Sequence, residues 1–123
     1  MPDEITLTLP SEEGFEHVAH LVVGGLGARL ELTLETLEDL QLAVENLLER
    51  GGGGTLTVRV DVDGAVLRTS IGPFDASQLD DLDQDDGRFG LRRILETVCD
   101  TVELEERDGR RWVQLTKRAE TLA

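Results

Sequence analysis

The chain has 123 residues and is strongly acidic, with 12 lysine and arginine residues, 26 aspartate and glutamate residues and a formal net charge of −14. This length suits one domain, and an apolar content of 39% is enough for a single two-layer core. The charge argues strongly against binding to duplex DNA or an anionic membrane surface, because phosphate binding needs clustered cations. A basic protein partner, in contrast, would be steered toward such a surface.

Targeting signals and cysteine content indicate the compartment. No apolar run approaches the roughly 20 residues that a membrane helix needs. The acidic start, Met1 to Glu4, lacks the basic and apolar regions of a signal peptide. Cys99 is the single cysteine, which excludes an internal disulfide and a cysteine-rich zinc site. We therefore expect a reducing, cytoplasmic setting.

The first half of the chain predicts one strand and two helices. Residues 5 to 9 alternate apolar and polar, which is typical of a strand with one buried face. Ser11 is a candidate cap for a first helix and Thr33 for a second. The apolar stripe of the first helix comprises Phe15, Val18, Ala19, Val22, Leu26 and Leu30, and that of the second comprises Leu37, Leu40, Val44, Leu47 and Leu48. Four glycines, residues 51 to 54, end the second helix.

The second half predicts two hairpins separated by a loop and a helix. Alternating residues from Leu56 to Val62 lead into Asp63-Gly64, a pair favoured in type I′ turns, and a return strand follows. After a polar loop of residues 72 to 88, a third helix has its apolar stripe at Leu91, Ile94, Leu95 and Val98. A second hairpin then turns at Asp108-Gly109.

The resulting order of elements is β-α-α-β-β-α-β-β. Because the strands alternate, they cannot be buried on both faces. We therefore predict an α/β two-layer sandwich, in which a mixed, mainly antiparallel sheet carries three helices on one face. Residues 1–118 would form this single domain and residues 119–123 a tail.

Three segments resemble one branch of the GHKL (histidine kinase-like) ATPase superfamily, the branch of the bacterial anti-sigma factor serine kinases. They are the run from Asp39 to Val44, the Gly-Pro-Phe-Asp turn at residues 72–75 and the stretch from Gly87 to Ile94. The resemblance implies a Bergerat nucleotide pocket between the sheet and the helices. It also implies an activity, the phosphorylation of a serine on a small antagonist protein, and the sequestration of a sigma factor.

Two positions of the implied active site carry unsuitable residues. Where the family has the glutamate that activates the nucleophile, this chain has Asn46, which has no basic lone pair suited to taking a hydroxyl proton. Where the family has the asparagine that holds magnesium, it has Arg50, whose guanidinium cannot ligate a metal. An alternative register puts Glu45 at the base position, but it turns the helix by about 100 degrees and breaks its apolar stripe.

The adenine and phosphate positions are also altered. The resemblance places Ser70 where the family has the aspartate that accepts the adenine amine, and Gly72 at the first glycine, with Phe74 following where a second glycine is absent. Gly87 and Gly90 are the remaining glycines of the segment that opens the third helix, and their backbone amides could cradle an anion. We expect no catalytic residue, metal or cofactor here. Binding of ATP with magnesium is expected only in the alternative in which the site residues are shifted.

Two surfaces are candidates for protein contacts. The loop residues Asp80, Asp81, Asp83 and Asp85 would attract a basic partner segment. Their spacing also resembles the start of a calcium-binding EF-hand loop, although the residue at the twelfth position is Arg92 instead of a glutamate. Trp112 alternates out of phase with Val113, so it points to the sheet face without helices, as an interface anchor or covered by neighbouring side chains.

The leading hypothesis is a non-catalytic regulatory protein, a pseudokinase that resembles anti-sigma factors and controls transcription by protein–protein binding. Its partner would be a sigma factor, an anti-sigma protein or an antagonist protein, with a homodimer left open. One alternative is an ATP-dependent anti-sigma serine protein kinase with shifted site residues. Another is a structural dimerisation module. His17 and His20, three residues apart, are expected to be surface histidines and not a metal pair.

Overall fold

The computed structural model describes residues 3–10, 14–51, 54–79 and 90–119. Its strands are β1 (Asp3–Pro10), β2 (Thr55–Asp63), β3 (Val66–Phe74), β4 (Thr101–Arg107) and β5 (Arg110–Arg118). Its helices are α1 (Phe15–Arg29), α2 (Leu34–Leu48) and α3 (Leu91–Val98), and a short 3-10 helix, Ala76–Leu79, follows β3. The predicted order of elements is confirmed.

The five strands form one sheet in the order β1-β2-β3-β5-β4. We predicted a mixed, mainly antiparallel sheet, and the described strands pair antiparallel at every neighbour. Hairpins join β2 to β3 and β4 to β5, and β5 lies between β3 and β4. The predicted two-layer sandwich is confirmed.

One face of the sheet is buried and the other is open. Along β2 the buried side chains are Leu56, Val58, Val60 and Val62, and they alternate with partly or fully exposed residues. Strand pairing aligns Val58 with Ile71 and Ile71 with Val113, so the buried rows of three strands form one continuous apolar surface. The core lies between this surface and the helices.

The helices α2 and α3 present most of their predicted stripes to the core, although Ile94 is partly exposed and does not join it. Leu40, Val44, Leu47, Leu91 and Leu95 are all buried, as expected. Thr33 caps α2, because its Oγ1 accepts a hydrogen bond of 3.2 Å from the backbone N–H of Thr36.

The predicted stripe of α1 is partly wrong. Val23, buried at 3% exposure, takes the core position that we assigned to Val22, and Val18 is 39% exposed. The buried set is Ala19, Val23 and Leu26, spaced i, i+4 and i+7. Phe15 is partly buried against the core, as predicted.

The first hairpin turn also differs from its prediction. Asp63 pairs with Val66, so the central residues are Gly64 and Ala65, and of these Gly64 alone has a positive φ (61°). Glycine at the first central position is typical of a type II′ turn, not type I′. In the second hairpin, Asp108 and Gly109 are central, with φ values of 55° and 77°, as a type I′ turn requires.

Candidate functional site

Two of the segments that carry predicted nucleotide positions, the end of α2 and the turn after β3, meet each other. Gln78, in the 3-10 helix after β3, donates a 2.8 Å hydrogen bond from Nε2 to the carbonyl oxygen of Gly51. Its Oε1 accepts a 2.7 Å bond from the backbone N–H of Asp75. One side chain thus fastens the turn after β3 to the end of α2.

Asn46 is half-buried and bonded to its own helix. Its Nδ2 donates a 2.8 Å hydrogen bond to the carbonyl oxygen of Leu42, four residues earlier. The side chain of Asn46 is an amide and not a carboxylate, and its N–H group is already bonded to the backbone. It cannot act as a general base.

The alternative base, Glu45, pairs with the neighbouring helix. Its Oε1 lies 2.5 Å from Nδ1 of His20, a surface histidine of α1. Gln41, one turn earlier, donates a 3.1 Å bond to the carbonyl oxygen of His20. Glu45 therefore lies on the side of α2 that faces α1, which counts against the shifted register.

Arg50 lies just after α2, in the turn that ends the helix. Its side chain is half-buried, and its backbone N–H donates a 3.0 Å bond to the carbonyl oxygen of Leu47. The backbone of Arg50 is thereby fixed at the end of α2, where the resemblance implies a magnesium ligand. The guanidinium would repel a metal ion and attract an anion.

Ser70 lies on the open face of the sheet. Strand alternation directs Thr69 and Ile71 toward the helices and leaves Ser70 half-exposed on the opposite side. A pocket between sheet and helices is therefore closed to Ser70. The inward neighbour Thr69 is 1% exposed, and its Oγ1 has no hydrogen-bond partner in the part of the chain that the structure describes.

Gly72 is required by a contact on the open face. A Cβ at this position would lie 2.6 Å from Cδ2 of Trp112. The glycine therefore makes room for the indole ring. This packing explains Gly72 without a bound nucleotide.

Phe74 and Leu79 are fully buried, at 0% exposure. The residue that stands where the family has a second glycine thus contributes to the core. Asp75 is exposed, and its Oδ1 lies 3.4 Å from Nε of Arg110. The turn after β3 is therefore held by apolar burial and by this ion pair.

Trp112 lies on the open sheet face, as predicted, and its neighbours cover it in part. The guanidinium of Arg107 lies 5.0 Å from the centroid of the indole ring, a cation–π geometry, and Gly72 lies beneath the ring. The Arg107 guanidinium also bonds Glu105 at 2.7 Å. Neighbouring side chains thus cover the ring in part, and a role of Trp112 as an interface anchor stays a prediction.

Several predicted residues cannot be placed. Asp80, Asp81, Asp83, Asp85 and Gly87 lie outside the described residues. Gly90 is described: it is the N-cap residue of α3, and its carbonyl oxygen accepts a 3.0 Å bond from Arg93. Among the described ranges, no group of three or more acidic, histidine or cysteine residues could hold a metal ion.

Lys117 is a residue whose role the sequence did not reveal. Its Nζ lies 3.2 Å from Oδ2 of Asp39 and donates a 2.7 Å bond to the carbonyl oxygen of Val98. Lys117 of β5 therefore joins the end of α3 to α2, where its partner Asp39 is the first residue of the run that resembles the family. Nearby, burial raises the pKa of the Cys99 thiol to about 11, so this cysteine is unreactive.

The fold is shared with a solved structure. The crystal structure of the RsbU and RsbW domains of a Mycobacterium tuberculosis protein superimposes with a TM-score of 0.70 at 15% identity. The match covers 95% of this chain and 32% of that chain, so this chain spans about a third of the other's length. Together with the strand order and the helical layer, this likeness shows the fold of GHKL ATPases.

A sequence relative shows the family. The chain is 30% identical over 131 aligned positions to the serine-protein kinase RsbW of Halalkalibacterium halodurans. The alignment covers 88% of this chain and 79% of the relative. No protein-family model matches the chain. By that identity and coverage, the chain belongs to the RsbW family of anti-sigma factor serine kinases. The described residues contain no helix long and apolar enough to cross a membrane.

Proposed function

We propose that this protein is a non-catalytic member of the RsbW family that regulates transcription by binding another protein. The observation that carries the proposal is the state of the two candidate bases. The Asn46 amide is bonded to the backbone of its own helix, and the Glu45 carboxylate is paired with His20. Neither is placed to take a proton from a substrate serine.

Two further observations support the loss of phosphoryl transfer. Arg50 puts a positive charge where the family would hold magnesium, and Ser70 faces away from the helices. The loss of a general base alone typically lowers a rate by about 10² to 10⁴. The metal ions that bridge and neutralise the phosphates would be lost in addition.

Protein binding is the function that remains. The RsbW family gives the class of partner, a sigma factor or the antagonist of an anti-sigma kinase. Both are proteins, and a chain of net charge −14 favours basic partner surfaces. The test is capture from the native host by the tagged full-length protein, at low salt and without added nucleotide. A sigma factor or an antagonist among the captured proteins supports the proposal, and self-association alone contradicts it.

Where the captured partner is an antagonist protein, the implied substrate, phosphoryl transfer is tested on it. The wild-type chain is incubated with the partner, γ-labelled ATP and magnesium, and the partner is analysed for phosphoserine. We expect no label above the level without the chain. Labelling that is lost on addition of a chelator would identify an active kinase with shifted site residues.

A further inference from the structure

Exposed apolar side chains concentrate on the outer surface of the helical layer. In the described part of the chain, the large apolar residues with high exposure are Val18 (39%), Leu21 (74%), Leu34 (67%) and Leu42 (43%). All of them belong to α1 or α2, and the open sheet face contributes none. Large apolar side chains at this exposure are unfavourable in water, so their grouping on one helix pair indicates a binding surface.

A groove runs between the C-terminal half of α1 and the start of α2. Its volume is about 360 Å³, and its lining comprises Gly24, Gly27, Ala28, Glu31, Leu32, Leu34 and Leu37. Leu21 lies three residues before Gly24 and therefore borders the groove on the same side of α1. We call this surface the α1–α2 groove.

The glycines of α1 serve two different purposes. A Cβ at Gly27 would lie 2.7 Å from Cδ1 of Leu37, so Gly27 lets the two helices pack closely. A Cβ at Gly25 would meet nothing within 4 Å. Contacts within the chain therefore do not require Gly25, although a glycine inside a helix is unfavourable.

One carboxylate lines the groove, and two more follow on the first turns of α2. Glu31 lines it, and Glu35 and Glu38 are exposed on the first turns of α2. From residue 30 to residue 48 the sequence contains no lysine or arginine. An apolar groove with an acidic border is complementary to an apolar stripe that is flanked by lysine or arginine.

The backbone conformation of Glu31 is further evidence for an acidic side chain at the groove. Its φ is 54°, the left-handed region that glycine or asparagine normally occupies at the end of a helix. The turn is a Schellman motif, since the N–H of Leu32 bonds the carbonyl oxygen of Gly27 at 3.0 Å. A glutamate at this position puts a carboxylate at the groove in spite of its unfavourable backbone.

We propose that the α1–α2 groove binds a basic amphipathic helix of a protein partner. The partner helix lays leucine-like side chains between Leu21 and Leu34, and its lysines or arginines face Glu31, Glu35 and Glu38. Two copies of this chain that met groove to groove would bring like charges together, which disfavours that arrangement. The inference rests on the proposed function in that it assigns a surface to the protein partner.

The binding test uses a defined probe and the full-length chain. The probe is a synthetic helical peptide of about four turns, with leucines on one face and lysines on the other, added to the ¹⁵N-labelled protein. We expect amide shifts to concentrate at residues 21–38. Two control peptides replace the lysines with glutamates or the leucines with serines, and neither should bind. Shifts centred on the open sheet face, or equal binding of a control peptide, would overturn the proposal.

Variants of the groove separate this inference from the proposed function. Leu21→Asp with Leu34→Asp should weaken peptide binding at least tenfold, and Glu31→Gln should weaken it severalfold at low salt only. Thr57→Asp, on the opposite face of β2, adds the same type of charge and should leave the affinity unchanged. Circular dichroism confirms that each variant is folded. If the double variant still captures the host partner as well as wild type does, the groove is excluded while the proposed function stands.

Discussion

At the scale of single residues, Thr69 is the least satisfied polar group of the described core. It is 1% exposed, and its Oγ1 has no hydrogen-bond partner in the described residues. A buried polar group without a partner typically costs about 1–3 kcal/mol. Valine has the same shape without the hydroxyl.

We therefore predict that Thr69→Val raises the free energy of unfolding by about 1 kcal/mol. Urea denaturation followed by circular dichroism measures the change. The control is Thr57→Val on the partly exposed side of β2, which should shift the midpoint little. A loss of stability in Thr69→Val would show that the hydroxyl has a partner in solution.

The left-handed backbone of Glu31 leads to a second prediction. Replacement by glycine removes a side-chain clash of about 1–2 kcal/mol and adds some entropy to the unfolded chain. We expect Glu31→Gly to raise the free energy of unfolding by about 0.5–1 kcal/mol.

Thermal unfolding of the Glu31→Gly variant measures this gain. Glu35→Gly, at an exposed position inside α2, serves as the matched control and should lower stability by up to about 1 kcal/mol. If both glycine variants are destabilised alike, the left-handed geometry at residue 31 carries no penalty.

At the scale of elements, the sequence predicted α2 and the strands better than α1. In α2 the cap at Thr33 and the stripe through Leu47 both match the structure. In α1, Val18, Ala19, Val22 and Val23 offer two overlapping stripes. Apolar periodicity cannot choose between them, because both are spaced three or four residues apart.

The position of Ser70 follows from the alternation of side chains along β3. Strand alternation already directs Leu67, Thr69 and Ile71 inward, and the alignment on Gly72 selected Ser70 instead. The apolar periodicity along β3 was the signal that Thr69, and not Ser70, faces the helices. The contacts of Lys117, in contrast, join three elements that are distant in the chain, so no local pattern could have revealed them.

At the scale of the whole molecule, two further surfaces remain proposals. A contact through Trp112 on the open sheet face would be mainly apolar, and a contact through the aspartates of residues 80–85 would be electrostatic. The Debye length falls from about 10 Å at 0.1 M salt to about 3 Å at 1 M. Salt therefore weakens the second contact and leaves the first nearly unchanged.

We predict that Trp112→Ala speeds dissociation of a partner or homodimer at all salt concentrations. The simultaneous change of Asp80, Asp81, Asp83 and Asp85 to Asn should slow association at low salt, with little effect at high salt. Surface plasmon resonance at two ionic strengths resolves both rates. Unchanged partner capture and oligomeric state in both variants would exclude these two surfaces.

The central claim is that a chain of the RsbW family has lost the nucleotide chemistry. Isothermal titration calorimetry of the wild-type protein with ATP and magnesium tests it most directly. We predict no magnesium-dependent binding at micromolar concentrations, because Arg50 stands where the resemblance implies a magnesium ligand and Ser70 lies on the open face of the sheet. Tight ATP binding that disappears when magnesium is chelated would contradict the account.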